Sequence, residues 1–369
     1  MQSKVYWIDF RAKLDRSILD KFADLMVSAG MKDVVEPKKL IAVKLHFGER
    51  GNTAYVRPVF VRKAVELMKE LKGRPFLTDA NTLYRGQRDL APKHIECAIG
   101  NGFDYSSVGA PIIIADGIKG TTAMKVKVNL KRFSDVTIGA EVYNSDAIVS
   151  IAHFKLHELL GFGGALKNVG MGCAARAGKL AQHSTIAPYV FEETCEGCKT
   201  CLLACGYGAV RVRGAKAYII PEKCIGCGEC IGTCPTESIR FHWDVQSREI
   251  QEKMMEYVYG VLSNKKNRAL FVNFISHVTP LCDCYEHSDA PIVPDVGIFA
   301  SQDPVAVDLA CVEAINDQIG LSNSALKSAF ARGTDKIRDV HPKIDWRVQL
   351  EYAEKLGIGS TKYELVKID

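Results

Sequence analysis

The spacing of the cysteines between residues 195 and 234 constrains this chain more than any other feature. Cys195, Cys198, Cys201 and Cys205 form one C-x2-C-x2-C-x3-C run, and Cys224, Cys227, Cys230 and Cys234 repeat it, with Pro235 directly after the second. Runs of this kind match the bacterial pattern in which three closely spaced cysteines hold one 4Fe-4S cubane while the fourth reaches across to the other. The expected ligand sets are therefore Cys195, Cys198, Cys201 and Cys234 for one cluster, and Cys224, Cys227, Cys230 and Cys205 for the second. Zinc sites prefer two C-x2-C pairs set further apart, and a third cysteine at the next step has no use in a tetrahedral site. A disulfide framework belongs to secreted chains. Gly206 stands where the first run would carry its proline, which fixes a turn but supplies no ligand.

Such a unit takes up about 50 to 60 of the 369 residues, so a much larger body is expected around it. Hydrophobic content of 47% and charged content of 25% fit a globular protein with a sizeable core. No run of about 18 apolar residues occurs and the first residues are not apolar, so neither a membrane span nor a signal peptide is expected. Thirteen cysteines without an export signal point to a reducing, cytoplasmic setting. The formal net charge of +5 is offset by about −4 from eight ligating thiolates and two oxidised cores. No basic block is interleaved with aromatics, so nucleic acid is not an expected partner.

Short apolar runs at residues 5–8, 40–45, 75–78, 112–115, 124–128, 147–151 and 269–274 read as strands, and three- and four-residue periodicity at 19–31, 59–71, 248–262 and 305–315 reads as helices. Asp303 is the expected N-cap of the last, with Pro304 at its first position. This alternation predicts an α/β fold: a mainly parallel sheet body with helices on both faces, plus an inserted small α+β ferredoxin-like domain. The expected division is 1–187 for the first part of the body, 188–245 for the insert and 246–369 for the second part, with junctions at Pro188 and residues 243–247.

In open parallel sheets ligands bind outside the carboxyl ends of the strands. Polar residues crowd there: Lys44, His46, Glu49, Arg50 and Asn52 after the second strand, Asp79, Asn81, Thr82, Tyr84 and Arg85 after the third, and His153, Lys155 and His157 after residue 151. The run from His153 to Cys173 is rich in glycine, including Gly163 and Gly164, and carries Lys167. Closely spaced glycines let backbone approach a ligand, while histidines and a lysine supply charge or protons. The run lacks the G-K-[ST] ending of a phosphate loop. Cys282 and Cys284, with His277 and His287 nearby, form a further constellation. Together with Cys173 they suggest an additional metal or reactive-thiol site, with buried unliganded cysteines as the alternative. Cys97 and Cys311 fall in helical apolar patterns and read as core.

These segments together resemble a known family. The stretches beginning at His46, Phe76, His153, Cys282 and Asp303 are similar to those of uncharacterised iron-sulfur centre proteins, in which a conserved domain of unknown function carries a ferredoxin insert. The resemblance covers nearly the whole chain and implies two 4Fe-4S clusters, without naming a reaction. A shorter likeness joins Gly163-Gly164-Ala-Leu-Lys167 to the Gly-Gly-x-x-Lys stretch of nickel-dependent lactate racemases, and it implies a cleft near Lys167.

The expected function is that of a redox protein whose clusters relay electrons from a soluble donor or acceptor protein to a small-molecule or cofactor site in the body, as an iron-sulfur oxidoreductase. In that reading His153, His157 and Lys167 are the catalytic candidates, while His46, Asp79, Asn81, Gly163 and Gly164 bind the ligand. The alternative is a non-enzymatic electron-transfer module or metal or cluster carrier that docks a redox partner.

Overall fold

In the computed structural model, which describes residues 2–242 and 245–368, seven strands form one central sheet. They are β1 (Ser3–Ile8), β2 (Leu40–Lys44), β3 (Arg74–Thr78), β4 (Ala147–His153), β5 (Ala269–Ile275), β6 (Gly297–Ser301) and β7 (Tyr363–Lys367), in spatial order β7-β1-β6-β5-β4-β2-β3. Pairing is parallel throughout β5-β4-β2-β3 and between β1 and β7. Only β6 runs against both of its neighbours. The architecture is thus mixed α/β with a mainly parallel sheet.

Two apolar cores lie on the two faces of this sheet. Alternation along β5 separates them: Phe271 and Ile275 point to one, Leu270, Val272 and Phe274 to the other. The first core takes in helices Ser247–Leu262 and Pro304–Asn316, and the second takes in Ile18–Ser28 and Pro58–Glu70. Asp303 caps Pro304–Asn316 by accepting from the amides of Val305 and Ala306, and Pro304 occupies the first turn, where its missing N–H leaves no bond unmade.

Two expected strands turn out differently. Residues 112–115 meet the sheet through a single bridge between Ile112 and Leu77. Ala123–Lys127 is a strand, but it pairs with Asp135–Gly139 in a separate hairpin outside the sheet. The residues from Tyr189 to Arg240 add no strand to the sheet. They form two small antiparallel pairs, Val210–Arg213 with Lys216–Ile219 and Tyr189–Val190 with Ile239–Arg240. These gather around a buried cluster containing Cys195, Cys201, Cys230 and Cys234 together with Leu83 and Leu180 of the body. The expected junction at 243–247 includes Trp243 and Asp244, which lie outside the described residues. Among the described residues no helix is long and apolar enough to cross a membrane.

Candidate functional site

Four adjacent parallel strands end on the same edge of the sheet, and their ends are chemically rich. Register aligns Lys44 of β2 with Thr78 of β3 and Ser150 of β4, and Phe274 of β5 with His153. A cavity of about 350 Å³ opens beyond these ends. It receives Lys44 and His46 from the end of β2, Asp79, Tyr84 and Arg88 after β3, His153, Lys155 and His157 from the end of β4, and Cys282, Cys284 and Tyr285 after β5. Helix Arg176–His183 closes one side with Lys179 and His183.

Most of the cations on this wall are neutralised where they stand. Lys44 meets Asp79 at 2.9 Å and also reaches Asn168 Oδ1 at 2.8 Å and Leu45 O at 3.0 Å, using all three of its protons. Arg88 pairs with Glu49 at 2.8 Å. Burial would raise the Asp79 carboxyl, but the Lys44 ammonium and the Arg88 guanidinium hold it well below the usual carboxylate range. Burial and the nearby Arg88 keep His46 neutral, and its Nδ1 accepts from the Gly48 amide at 3.0 Å.

Asp283, between the two cysteines, is the second anchor. It accepts from His153 Nδ1 at 2.9 Å and pairs with Lys155 at 3.0 Å. The other ring nitrogen of His153 faces Ser276 O at 2.9 Å, so both nitrogens point at acceptors and both serve as donors. His153 therefore holds the 282–284 segment in place. Cys282 and Cys284 are paired as a disulfide, their Cα atoms 5.2 Å apart.

Lys167 differs from the other lysines. Its Nζ donates to Cys282 Sγ at 2.9 Å, and neither it nor Lys179 pairs with a carboxylate among the described residues. Burial, reinforced by Lys155, pushes Lys167 down to about 7, and burial pushes Lys179 down to about 8. Burial with Lys167 beside it likewise keeps His157 neutral. Its Nδ1 accepts from the Leu159 amide at 3.1 Å, which leaves the proton on Nε2. The cavity thus offers two basic groups without carboxylate partners and a neutral imidazole, a set suited to an anionic ligand.

Three expected site residues fall elsewhere. Asn81 is buried and turned away from the cavity, with its amide donating to Asp116 and to Gly117 O, both at 2.8 Å. Gly163 does not line the cavity: a side chain there would strike the stem of Lys167 at 2.8 Å, so its role is to let Lys167 lie across it. Gly164, which does line the cavity, is packed against Asp308 and Phe154. The glycine-rich run is therefore a close-packing device. Cys173 is buried in the apolar core away from Cys282 and Cys284, and burial pushes its thiol up to about 11. Among the described residues no three His, Cys, Asp or Glu side chains converge as they would on a single metal ion. Arg88, Lys179 and His183 were absent from the expected set.

The cysteine-rich segment is built as two matched halves. Gly197 and Gly226 share positive φ values of 67° and 72°, Lys199 and Gly228 share 65° and 71°, and Gly208 and Glu237 share 64° and 54°, each pair at equivalent positions of the two runs. One small cavity is lined by Cys195, Cys198, Cys201 and Cys234, and the other by Cys205, Cys224, Cys227 and Cys230. Backbone amides face the two exchanged sulfurs. Burial opposes ionisation of Cys205 and Cys234, yet amides of residues 207–210 around the first, and the Thr236 hydroxyl with the Ser238 and Ile239 amides around the second, hold both thiols below their usual range.

This segment sits directly on the cavity wall. The buried Arg176 side chain packs against Gly228 and Gly232, its Nε donating to Lys119 O at 3.0 Å. Leu180 of the same helix joins the cysteine cluster, while Lys179 and His183 face the cavity. Arg85 donates to Cys234 O, and the neighbouring Tyr84 hydroxyl reaches Cys284 O at 3.4 Å.

A family model described as Domain of unknown function (DUF362) matches residues 41–313. No curated protein matches the chain. Among solved structures, the lactate racemase apoprotein of Thermoanaerobacterium thermosaccharolyticum is similar at 14% identity and a TM-score of 0.45, over 86% of this chain and 58% of that one. A protein from Thermotoga maritima is similar at 14% identity and a TM-score of 0.36, over 70% of this chain and 49% of that one. The chain thus spans about half the length of each, 58% of the first and 49% of the second.

Proposed function

The chain belongs to the DUF362 family, and from that premise we propose that it is an iron-sulfur redox protein whose two 4Fe-4S clusters exchange electrons with a small-molecule site at the carboxyl ends of β2 to β5. The observation that carries this reading is the exchange of the fourth cysteine. Each four-cysteine cavity combines three thiols from one run with the last thiol of the other, the arrangement a two-cubane unit requires. The donor set fits such a group: each cavity is lined by four thiols, and amides aimed at Cys205 and Cys234 favour the ionised form at one thiol of each set.

When bound, such clusters supply electrons one at a time. The protein's own residues do the rest. Helix Arg176–His183 and Leu83 stand between the cysteine cluster and the cavity, Leu180 on the cluster side, Lys179 and His183 on the cavity side, and Leu83 touching both. Within the cavity Lys167 and Lys179 draw in an anionic group, the His157 Nε2–H offers a hydrogen bond, and the Lys44–Asp79 and Arg88–Glu49 pairs hold the wall rigid.

The test is anaerobic purification with iron and sulfide counts and electron paramagnetic resonance of the reduced protein. About eight irons per chain are expected. Replacing Cys234 with Ser should disturb the cluster held by Cys195, Cys198 and Cys201 and leave the other intact. A count well below eight, or disturbance of the Cys224 set instead, would sink the reading.

A further inference from the structure

The pair Cys282 and Cys284 has a setting that neither a structural cross-link nor a core position explains. A bridge across one intervening residue closes almost no loop, so it removes very little entropy from the unfolded chain and adds little stability. The pair also lies on the cavity wall, and Cys284 is half-buried rather than enclosed. Its geometry is nonetheless tightly specified. The anchor is the residue between the cysteines, Asp283, tied to His153 and Lys155, so the backbone on both sides stays fixed whether the sulfurs are joined or apart. A lysine ammonium is aimed at one sulfur, Lys167 at 2.9 Å from Cys282. On the other side, the Tyr84-Arg85 dipeptide spans from the carbonyl of Cys284 to that of Cys234, one of the cysteines lining the first four-cysteine cavity.

We propose that Cys282 and Cys284 are a redox-active disulfide–dithiol pair that collects, as two thiols, electrons arriving singly from the two clusters. This rests on the two-cluster reading above. The chemistry balances as follows. The sulfur–sulfur bond breaks on accepting two electrons, one from each reduced cluster. Lys167 passes a proton to the Cys282 sulfur, the half-buried Cys284 takes its proton from solvent, and each cluster returns to its oxidised state. A soluble one-electron donor then reduces the clusters again. The pair thereby converts one-electron delivery into a two-electron store on the wall of a cavity furnished for an anionic ligand.

The experiment is a stoichiometric reductive titration of the anaerobically purified, iron-replete protein, with cluster reduction followed by electron paramagnetic resonance. Aliquots are quenched by alkylation under denaturing conditions and the peptide carrying both cysteines is examined by mass spectrometry. The unsubstituted protein should take up two more electrons per chain than Cys282→Ser, and its Cys282 and Cys284 should pass from unalkylated to doubly alkylated as those electrons enter. Because the alkylation arm uses the unsubstituted chain, a poorly folding variant does not blunt the test. Loaded clusters with equal uptake in both proteins, or thiols equally alkylated before and after reduction, would overturn the pair while leaving the cluster reading intact. A protein with few irons and no cluster signal would overturn both, and the iron count alone distinguishes that case.

Discussion

His153 donates through Nδ1 to the carboxylate of Asp283 at 2.9 Å, across 130 residues of sequence, and so joins the end of one central strand to the segment that follows another. The four strand ends are tied in two pairs, since Lys155 meets the same carboxylate after β5 and Lys44 at the end of β2 meets Asp79 after β3. The consequence for His153 is that both of its nitrogens are committed, whereas His157 keeps an N–H for a ligand.

His153 and His157 should therefore respond unequally to replacement. His153→Leu removes one of two hydrogen-bond partners from a buried carboxylate and should cost about 3–5 kcal/mol, towards the lower end because Lys155 remains. His157→Phe loses a single local hydrogen bond and should cost about 1 kcal/mol. Denaturant unfolding of the two variants measures the difference, and equal costs would show that the Asp283 anchor is not what holds the wall.

Lys167 should titrate near pH 7. Its unfolded value is about 10.4, so between about 7 and 10.4 the unfolded chain holds a proton that the folded chain has released. Stability at this site accordingly rises with pH through that window, and the cost of burying the ammonium is fully present below it. Acylation of Lys167 followed by peptide mass spectrometry should show its reactivity rising with a midpoint near 7. Lys167→Met should flatten the dependence of unfolding free energy on pH between 7 and 10.

Gly232→Ala tests the seat of the cysteine-rich segment. A methyl group there would strike the guanidinium of Arg176, which cannot swing away because it is buried and bonded to Lys119 O and Asp89 O. Gly232 lies in the short helix Glu229–Thr233, and the gain in helix propensity of up to about 1 kcal/mol should be outweighed by overpacking of about 1–3 kcal/mol. Thermal unfolding should show the loss, with Arg176→Ala in the same background recovering part of it.

Tyr84→Phe removes one hydroxyl, and with it the contact to Cys284 O. Iron content should be unchanged, and reduction of the Cys282–Cys284 pair after rapid mixing with a one-electron donor should slow several-fold. An unchanged rate would show that the electrons cross by another part of the wall.

The edge of the sheet was legible because Lys44, Asp79 and His153 follow apolar runs, and the position after a strand in a parallel sheet is itself a site signal. β6 escaped notice because its five residues carry no alternation that separates a doubly buried strand from other apolar chain. β7 is short and lies at the sheet edge. Residues 112–115 read as a strand by composition, yet their ladder to β3 is a single bridge, made by Leu77 N donating to Pro111 O and Ile113 N donating to Leu77 O. Lys179 and His183 gave no signal in sequence: which face of Arg176–His183 meets the cavity depends on how the cysteine-rich segment packs on its other face. Asn81 had the composition of a ligand residue, and only the fold shows its amide spent on Asp116.

The matched halves of the cysteine-rich segment carry one further implication. A duplicated unit with repeated backbone geometry could in principle be seated in either of two orientations related by half a turn. At the position equivalent to Gly232 the first half carries Leu203, which is 86% exposed, and at the position equivalent to Gly228 it carries Lys199. Neither side chain fits over Arg176, so only one of the two orientations is sterically open. A pair of small residues thus breaks the symmetry of the duplication and decides which half meets the body and which is left facing outward.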